Sequence, residues 1–212
     1  EGARYYTQWA GAPRNVVSKS NGANDYNDDI NTRSLYTNWL AGGSPYIPNK
    51  EGLKVPIELT LGVHSDAGVK ADGTTVGTLS ICTTQQGNPT LGTGLSRNAS
   101  QVFANQLVAN AKRDIEGTFK KVWNTRGVKD ANYSETRLPE VPSAIIETLS
   151  HQNFGDMRLG QDPNFKFAMA RSLYKTVTRF INEGHGRPTI IQPLAPHNFK
   201  VEFTDNSHIR LA

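Results

Sequence analysis

The chain has 212 residues, of which 36% are hydrophobic and 20% charged. That suits one domain of ordinary size, or one domain plus a fragment, with a real core rather than wholesale disorder. The formal charge of +4 is spread along the chain without a basic block, so nothing points to nucleic acid; weak attraction to an anionic polymer is compatible with it. A single cysteine rules out an intrachain disulfide and a cysteine-based zinc site, and no apolar run approaches the roughly 20 residues that span a bilayer.

In chain order, ARYYTQW reads as a short strand and GAPRNVVSKSNGANDYND as loop. Asp28 or Asp29 is expected to cap a helix over DDINTRSLYTNWLAGG, with Ile30, Leu35, Trp39 and Leu40 on one face and Gly42 and Gly43 as the stop. KVPIELTLGVHSDAG is the clearest strand, with Val55, Ile57, Leu59, Leu61 and Val63 alternating and His64 at its end. TTVGTLSICTT reads as a second strand, joined by the turn KADGT, suited to a hairpin or a sheet edge. Cys82, at the end of that strand, reads as an inert packed thiol.

QQGNPTLGTGLSRN is a glycine-rich loop without the lysine of a phosphate-binding loop. It leads into a helix over SRNASQVFANQLVANAKRDIEGTF, striped by Val102, Phe103, Leu107, Val108, Ala111 and Ile115. NTRGVKDANYSETRLPEV is loop and short strand, and PSAIIETL is an apolar strand ending on Glu147. DPNFKFAMARSLYKTVTRFINEGHG is a last long helix, with Asp162 and Pro163 at its start and Gly184 at its stop. RPTIIQPLAP is a linker, and HNFKVEFTDNSHIRLA two strands and a turn.

Strands alternating with long helices predict an α/β fold, a three-layer sandwich with a mostly parallel sheet between helices, plus a short β tail. In such sheets, chemistry gathers beyond the carboxyl ends of the strands, where this chain places His64 and Glu147. A neutral imidazole suits zinc, and a carboxylate beside the metal can relay protons between water and a leaving amine. Read alone, each residue has a plainer explanation: a hydrogen-bonding corner for His64, a solvated or salt-bridged group for Glu147.

Several segments, in order, resemble the zinc-dependent N-acetylmuramoyl-L-alanine amidases of bacterial cell walls. Arg33 and Asn38 in RSLYTNWLAGG precede LGVHSDA, with His64, Asp66 and Ala67. The helix from SRNAS follows, then PSAIIETLSHQNFGDM, with Pro142, Glu147 and Asn153. The resemblance covers residues 28–182. It implies a zinc-binding role for His64, a catalytic acid/base role for Glu147, zinc as cofactor, and peptidoglycan or another cell-surface glycan as partner in an extracytoplasmic setting.

The family's first zinc histidine, in a Gly-His-Gly segment, and its glutamate ligand have no counterpart before Arg33. The Gly-His-Gly at 184–186 comes after the last helix, where His185 is expected at a helix C-terminus. The chain opens without Met and stops within an alternating pattern, so it is expected to be part of a longer protein whose first strand and helix precede Glu1. Leu149 and Ser150 stand where the family has a glycine and an aromatic residue. His151 could share a helical face with Glu147; otherwise it is a loop residue. His197 and His208 read as structural or solvated, Asp66 as orienting its loop, and the sequons at Asn98 and Asn132 as chance matches.

The expected organisation is an amidase-like domain over 1–187 and, over 188–212, a linker and the start of a fibronectin type III-like β-sandwich. The expected activity is zinc-dependent hydrolysis of the amide between N-acetylmuramic acid and L-alanine. The alternatives are a non-catalytic module binding cell-wall glycan or polysaccharide, and a zinc carboxy- or aminopeptidase-like hydrolase.

Overall fold

A computed structural model describes residues 2–195 and 199–211. Helices α1 (Gly2–Trp9), α2 (Arg14–Val17) and α3 (Asp25–Ala41) come first, followed by β1 (Thr60–Asp66) and β2 (Thr78–Cys82). Then come α4 (Asn98–Phe119), β3 (Thr125–Asp130), α5 (Ser134–Arg137), β4 (Ser143–Ser150), α6 (Phe154–Gly160) and α7 (Pro163–Gly184). A hairpin of β5 (Val201–Phe203) and β6 (Ile209–Leu211) forms the β tail as a separate sheet. The fold is α/β, as expected, and its central sheet has the order β1-β4-β2-β3. Strands β1 and β4 pair in parallel, as do β2 and β3; β2 and β4 are antiparallel.

The main core lies between the sheet and α4 with α7. Phe103, Leu107, Ala111 and Ile115 of α4 meet Ala144 and Ile146 of β4 and Phe165, Met169 and Leu173 of α7. The apolar spacing that predicts α4 is thus its buried face, except that Val102 is 51% exposed. Trp123 is fully buried, donates from Nε1 to Thr78 Oγ1 at 2.8 Å and packs on Phe165 with ring centroids 5.0 Å apart. Helix α7 starts as expected: the Asp162 carboxylate accepts from the Asn164 N–H and Pro163 holds the first position. Cys82 is fully buried, and burial, with the nearby Asp130 charge, pushes its thiol to about 11.

Several sequence expectations are corrected. Residues 2–9 are helical rather than a strand: the inward residues Ala3, Arg4 and Thr7 follow helical spacing, and Arg4 pairs with Asp25 of α3. Helix α3 starts at Asp25, capped by Asn24, not by Asp28 or Asp29. Asp28 is buried and accepts instead from the Ser18 hydroxyl and the Ser20 and Gly22 N–H groups, tying down the preceding loop. The most buried face of α3 is polar: Thr32 donates to Val16 O, Ser34 to Ser134 O and Asn38 to Leu138 O, while Ile30, Leu35, Trp39 and Leu40 are only partly buried.

Strand β1 begins at Thr60 rather than Val55. Lys54 has φ +61°, which breaks extended pairing, and the Leu53 and Val55 N–H groups bond to Trp39 and Leu40 carbonyls at the end of α3. Strand β2 is not β1's hairpin partner, since β4 lies between them, and it is buried along its whole length. Its threonine and serine are interior hydroxyls: Thr78 donates to Thr148 O and Ser80 to Ile145 O. Strand β4 runs on to Ser150, so Glu147 stands inside it and not at its end, and the helical face shared with His151 does not form.

Among the described residues, no helix is long and apolar enough to cross a membrane.

Candidate active site

Parallel pairing sets His64 of β1 opposite Glu147 of β4, and Glu147 is opposite Leu79 of β2 on its other side. Paired residues in a sheet point to the same face, so His64 and Glu147 share the face away from the α4–α7 core. Just beyond them the register slips. Ser65 alone separates His64 from Asp66, whereas Thr148 and Leu149 separate Glu147 from Ser150, so β4 bulges. The bulge turns Leu149 into the main core and lets Ser150 Oγ donate to Gly68 O at 2.6 Å. These two departures from the family pattern are packing and loop-anchoring residues.

Gly62 makes room for His64: a Cβ at Gly62 would meet the His64 Nε2 and the Ile145 Cγ1, each at 3.2 Å. The imidazole therefore lies back over its own strand. Its Nε2 is 3.0 Å from Oε2 of Glu135 on α5. The other oxygen of Glu135 accepts from Arg33 Nη1 at 3.0 Å, and Arg33 Nη2 is 3.4 Å from Asp29 Oδ2. Asp29 Oδ1 accepts the Arg4 N–H at 2.9 Å, so a chain of polar contacts runs from α1 through α3 and α5 to β1. Arg33, which the sequence marks, is joined to His64 only through Glu135, which it does not mark. Asn38 acts elsewhere, accepting the Glu140 N–H at 3.0 Å and holding the approach to β4.

Glu147 is half-buried, and its Oε2 is sealed from water without a hydrogen-bond partner. Burial, reinforced by the Asp66 charge, raises its pKa above the ordinary carboxylate value; the nearby His64 and Arg126 partly offset this. Asp66 behaves oppositely. Burial works against its charge, but bonds from Arg126 Nη1 at 2.6 Å and the Ala67 N–H hold its carboxyl below the usual range. Asp66 thus orients its loop, as expected, and also pairs with a β3 arginine that sequence reasoning missed. A cavity of about 520 Å³ opens at this point, lined by Asp66, Leu79, Arg126, Lys129, Tyr133 and Glu147 among others.

His151 sits in the turn after β4, with Nδ1 3.2 Å from Ser65 Oγ. Asn153 is buried and structural: it accepts the Lys70 N–H and donates to Thr74 O and Asp156. His185 caps α7 and lies 2.6 Å from Glu58 Oε2, at the start of β1 and far from Glu147. His208 pairs with Asp205 in the tail turn, and His197 lies outside the described residues.

An imidazole beside carboxylates, one of them bearing an unpaired buried oxygen, offers donor types that zinc accepts. The number of donors falls short of the three protein ligands of a catalytic site: among the described residues, no group of three or more His, Cys, Asp or Glu side chains is placed to hold one ion.

No protein-family model matches the chain, and no curated protein does. Solved structures do. The CwlD amidase from Clostridioides difficile, solved in complex with the GerS lipoprotein, superposes with TM-score 0.51 at 15% identity, over 78% of this chain and 70% of that one. The N-acetylmuramyl-L-alanine amidase Ami1 from Mycobacterium smegmatis gives TM-score 0.50 at 14% identity, over 73% of this chain and 61% of that one. For an N-acetylmuramoyl-L-alanine amidase from Clostridium difficile 630, the match spans 58% of that protein's chain. The described chain has the fold of the N-acetylmuramoyl-L-alanine amidases.

Proposed function

We propose that this domain hydrolyses the amide joining N-acetylmuramic acid to L-alanine in peptidoglycan, with zinc, outside the cytoplasm. The observation that carries this reading is Glu147: a desolvated carboxylate with an unpaired oxygen, in register with His64 at the open cavity. The amidase fold around the pair supports it.

His64 would be one donor to the metal. Bound zinc supplies a Lewis acid and a water that ionises near neutral pH. Glu147 does the proton work. Its raised pKa lets the carboxylate take a proton from the attacking water and hold it long enough to pass it to the departing alanine nitrogen. Arg126 holds Asp66 in place beside Glu147, where the Asp66 charge helps to raise the Glu147 pKa. The tail beyond residue 187 is read as a linker entering a following β-sandwich.

The shortage of donors favours a second reading, a wall-glycan-binding module without catalysis. Digestion of a defined muropeptide by the intact protein with zinc separates the readings by mass spectrometry. Release of the free lactyl sugar and a peptide with a new L-alanine amino terminus is expected. Cleavage only within the peptide would indicate a peptidase. Binding without products from a zinc-loaded protein would support the module.

A further inference from the structure

We propose that Lys129 is a specificity-determining residue: it receives a carboxylate on the peptide beyond the scissile amide. This rests on the reading of Glu147 as the residue that serves that amide. Lys129 and Glu147 line the same cavity of about 520 Å³. The sheet places them there. Glu147 of β4 is opposite Leu79 of β2, and Lys129 of β3 is opposite Ile81 of β2. Residues paired in this way point to one face, and Leu79 and Ile81, two apart on β2, share it. Lys129 therefore stands on the same side of the sheet as Glu147 and His64.

A bulge in β3 produces this. Leu79 alone separates Thr78 from Ser80, whereas Arg126 and Gly127 separate Thr125 from Val128. Gly127 has φ +72°, the left-handed conformation that glycine adopts without a side-chain clash. In a regular strand, residues three apart face opposite sides, so Arg126 and Lys129 would not both line one cavity. The extra residue turns Val128 to the main core and brings both cations to the site face. Their tasks then divide. Arg126 Nη1 is bound to Asp66 at 2.6 Å. Lys129 has no ion-pair partner among the described residues, which leaves its charge for a ligand. Two strand spacings and two residues separate Lys129 from Glu147, roughly 12 Å between Cα atoms. Extended peptide advances about 3.3–3.6 Å per residue, so a carboxyl on the second residue lies about 7 Å beyond the scissile nitrogen. The lysine side chain covers the rest. Between the two ends, Leu79 and Ile81 form an apolar floor that suits the alanine methyl.

Two synthetic substrates test this on the intact protein. Both are N-acetylmuramoyl-L-alanyl-D-glutamyl peptides blocked at their end, with the glutamyl α-carboxyl free in one and amidated in the other. Binding is measured by calorimetry without zinc, which keeps it apart from turnover. Wild type is expected to bind the free acid at least about 3-fold more tightly, as for one exposed ion pair, with the preference shrinking as salt rises. Lys129→Met, which keeps the apolar stem, is expected to bind both alike, and Lys129→Arg to keep the preference. A lysine that only solvates the surface would leave these ratios unmoved. Equal affinities in wild type, no binding of either substrate, or a preference that survives Lys129→Met overturns the inference. If the preference follows Lys129 but the zinc-loaded wild type releases no L-alanine amino termini from either substrate, the reading of the reaction falls and the carboxylate subsite stands.

Discussion

Glu147 carries an oxygen sealed from water and left unpaired, which makes the ionised form costly in the folded chain. Its folded pKa lies above the ordinary value of 4.5. Between these two values the folded chain binds more protons than the unfolded one, so stability falls as pH rises through that window and then levels off. Glu147→Gln in the metal-free protein removes the effect. Its melting temperature is predicted to exceed wild type above the window, with the gap closing as pH falls below about 4.5. Thermal melts across pH check this, and a gap that widens toward acid would contradict it. Cys82 gives a second test. With its thiol at about 11 and no exposure, it is predicted to resist alkylation in the native protein and react on unfolding. The positions of His64 and Glu147 on neighbouring strands were legible because each strand's apolar pattern is readable; the roles proposed for them come from the family resemblance. Glu135 was not: it sits on a four-residue helix in NYSETR, and nothing local says that Arg33 and His64 will flank it.

Among the elements, α4 and α7 could be read directly, because a helical apolar stripe, and for α7 an Asp-Pro start, state both their extent and their buried face. Helix α1 could not: its tyrosines and tryptophan favour strand by propensity, but they are exposed, and packing on α3 decides the conformation. Nor could β2's place in the sheet, since pairing with β4 is a long-range choice that a turn signal between neighbours does not reveal. The turn between β1 and β2 is held by α6 instead. The fully buried Asp156 carboxylate accepts the Val76 N–H at 2.7 Å and the Gly77 N–H at 2.8 Å, besides the Asn153 amide. Gly77 has φ +80°, and a Cβ there would overlap the Asn124 carbonyl, so the segment has one path. A buried donor left unpaired costs about 1–3 kcal/mol, so Asp156→Ala is predicted to lose about 2–5 kcal/mol. Urea unfolding measures it; a loss below about 1 kcal/mol would show that the two N–H groups find other partners.

Across the whole molecule, the sheet separates two environments. One face is the dry core against α4 and α7; the other carries Glu147 and His64 under α5, with α3 packed behind it. The two ends differ as well. A mainly apolar cavity of about 390 Å³, lined by Val102, Val141, Phe180, Ile181 and the Glu58–His185 pair among others, sits where β1 and β4 begin, away from the site. His64 and Glu147 lie toward the carboxyl ends of those two strands, within them rather than beyond them. The most direct test of the account is turnover by Glu147→Gln on purified peptidoglycan, with zinc affinity measured on the same preparation. The account predicts at least about a 100-fold loss of new L-alanine amino termini with zinc affinity kept; wild-type turnover in that variant would contradict it.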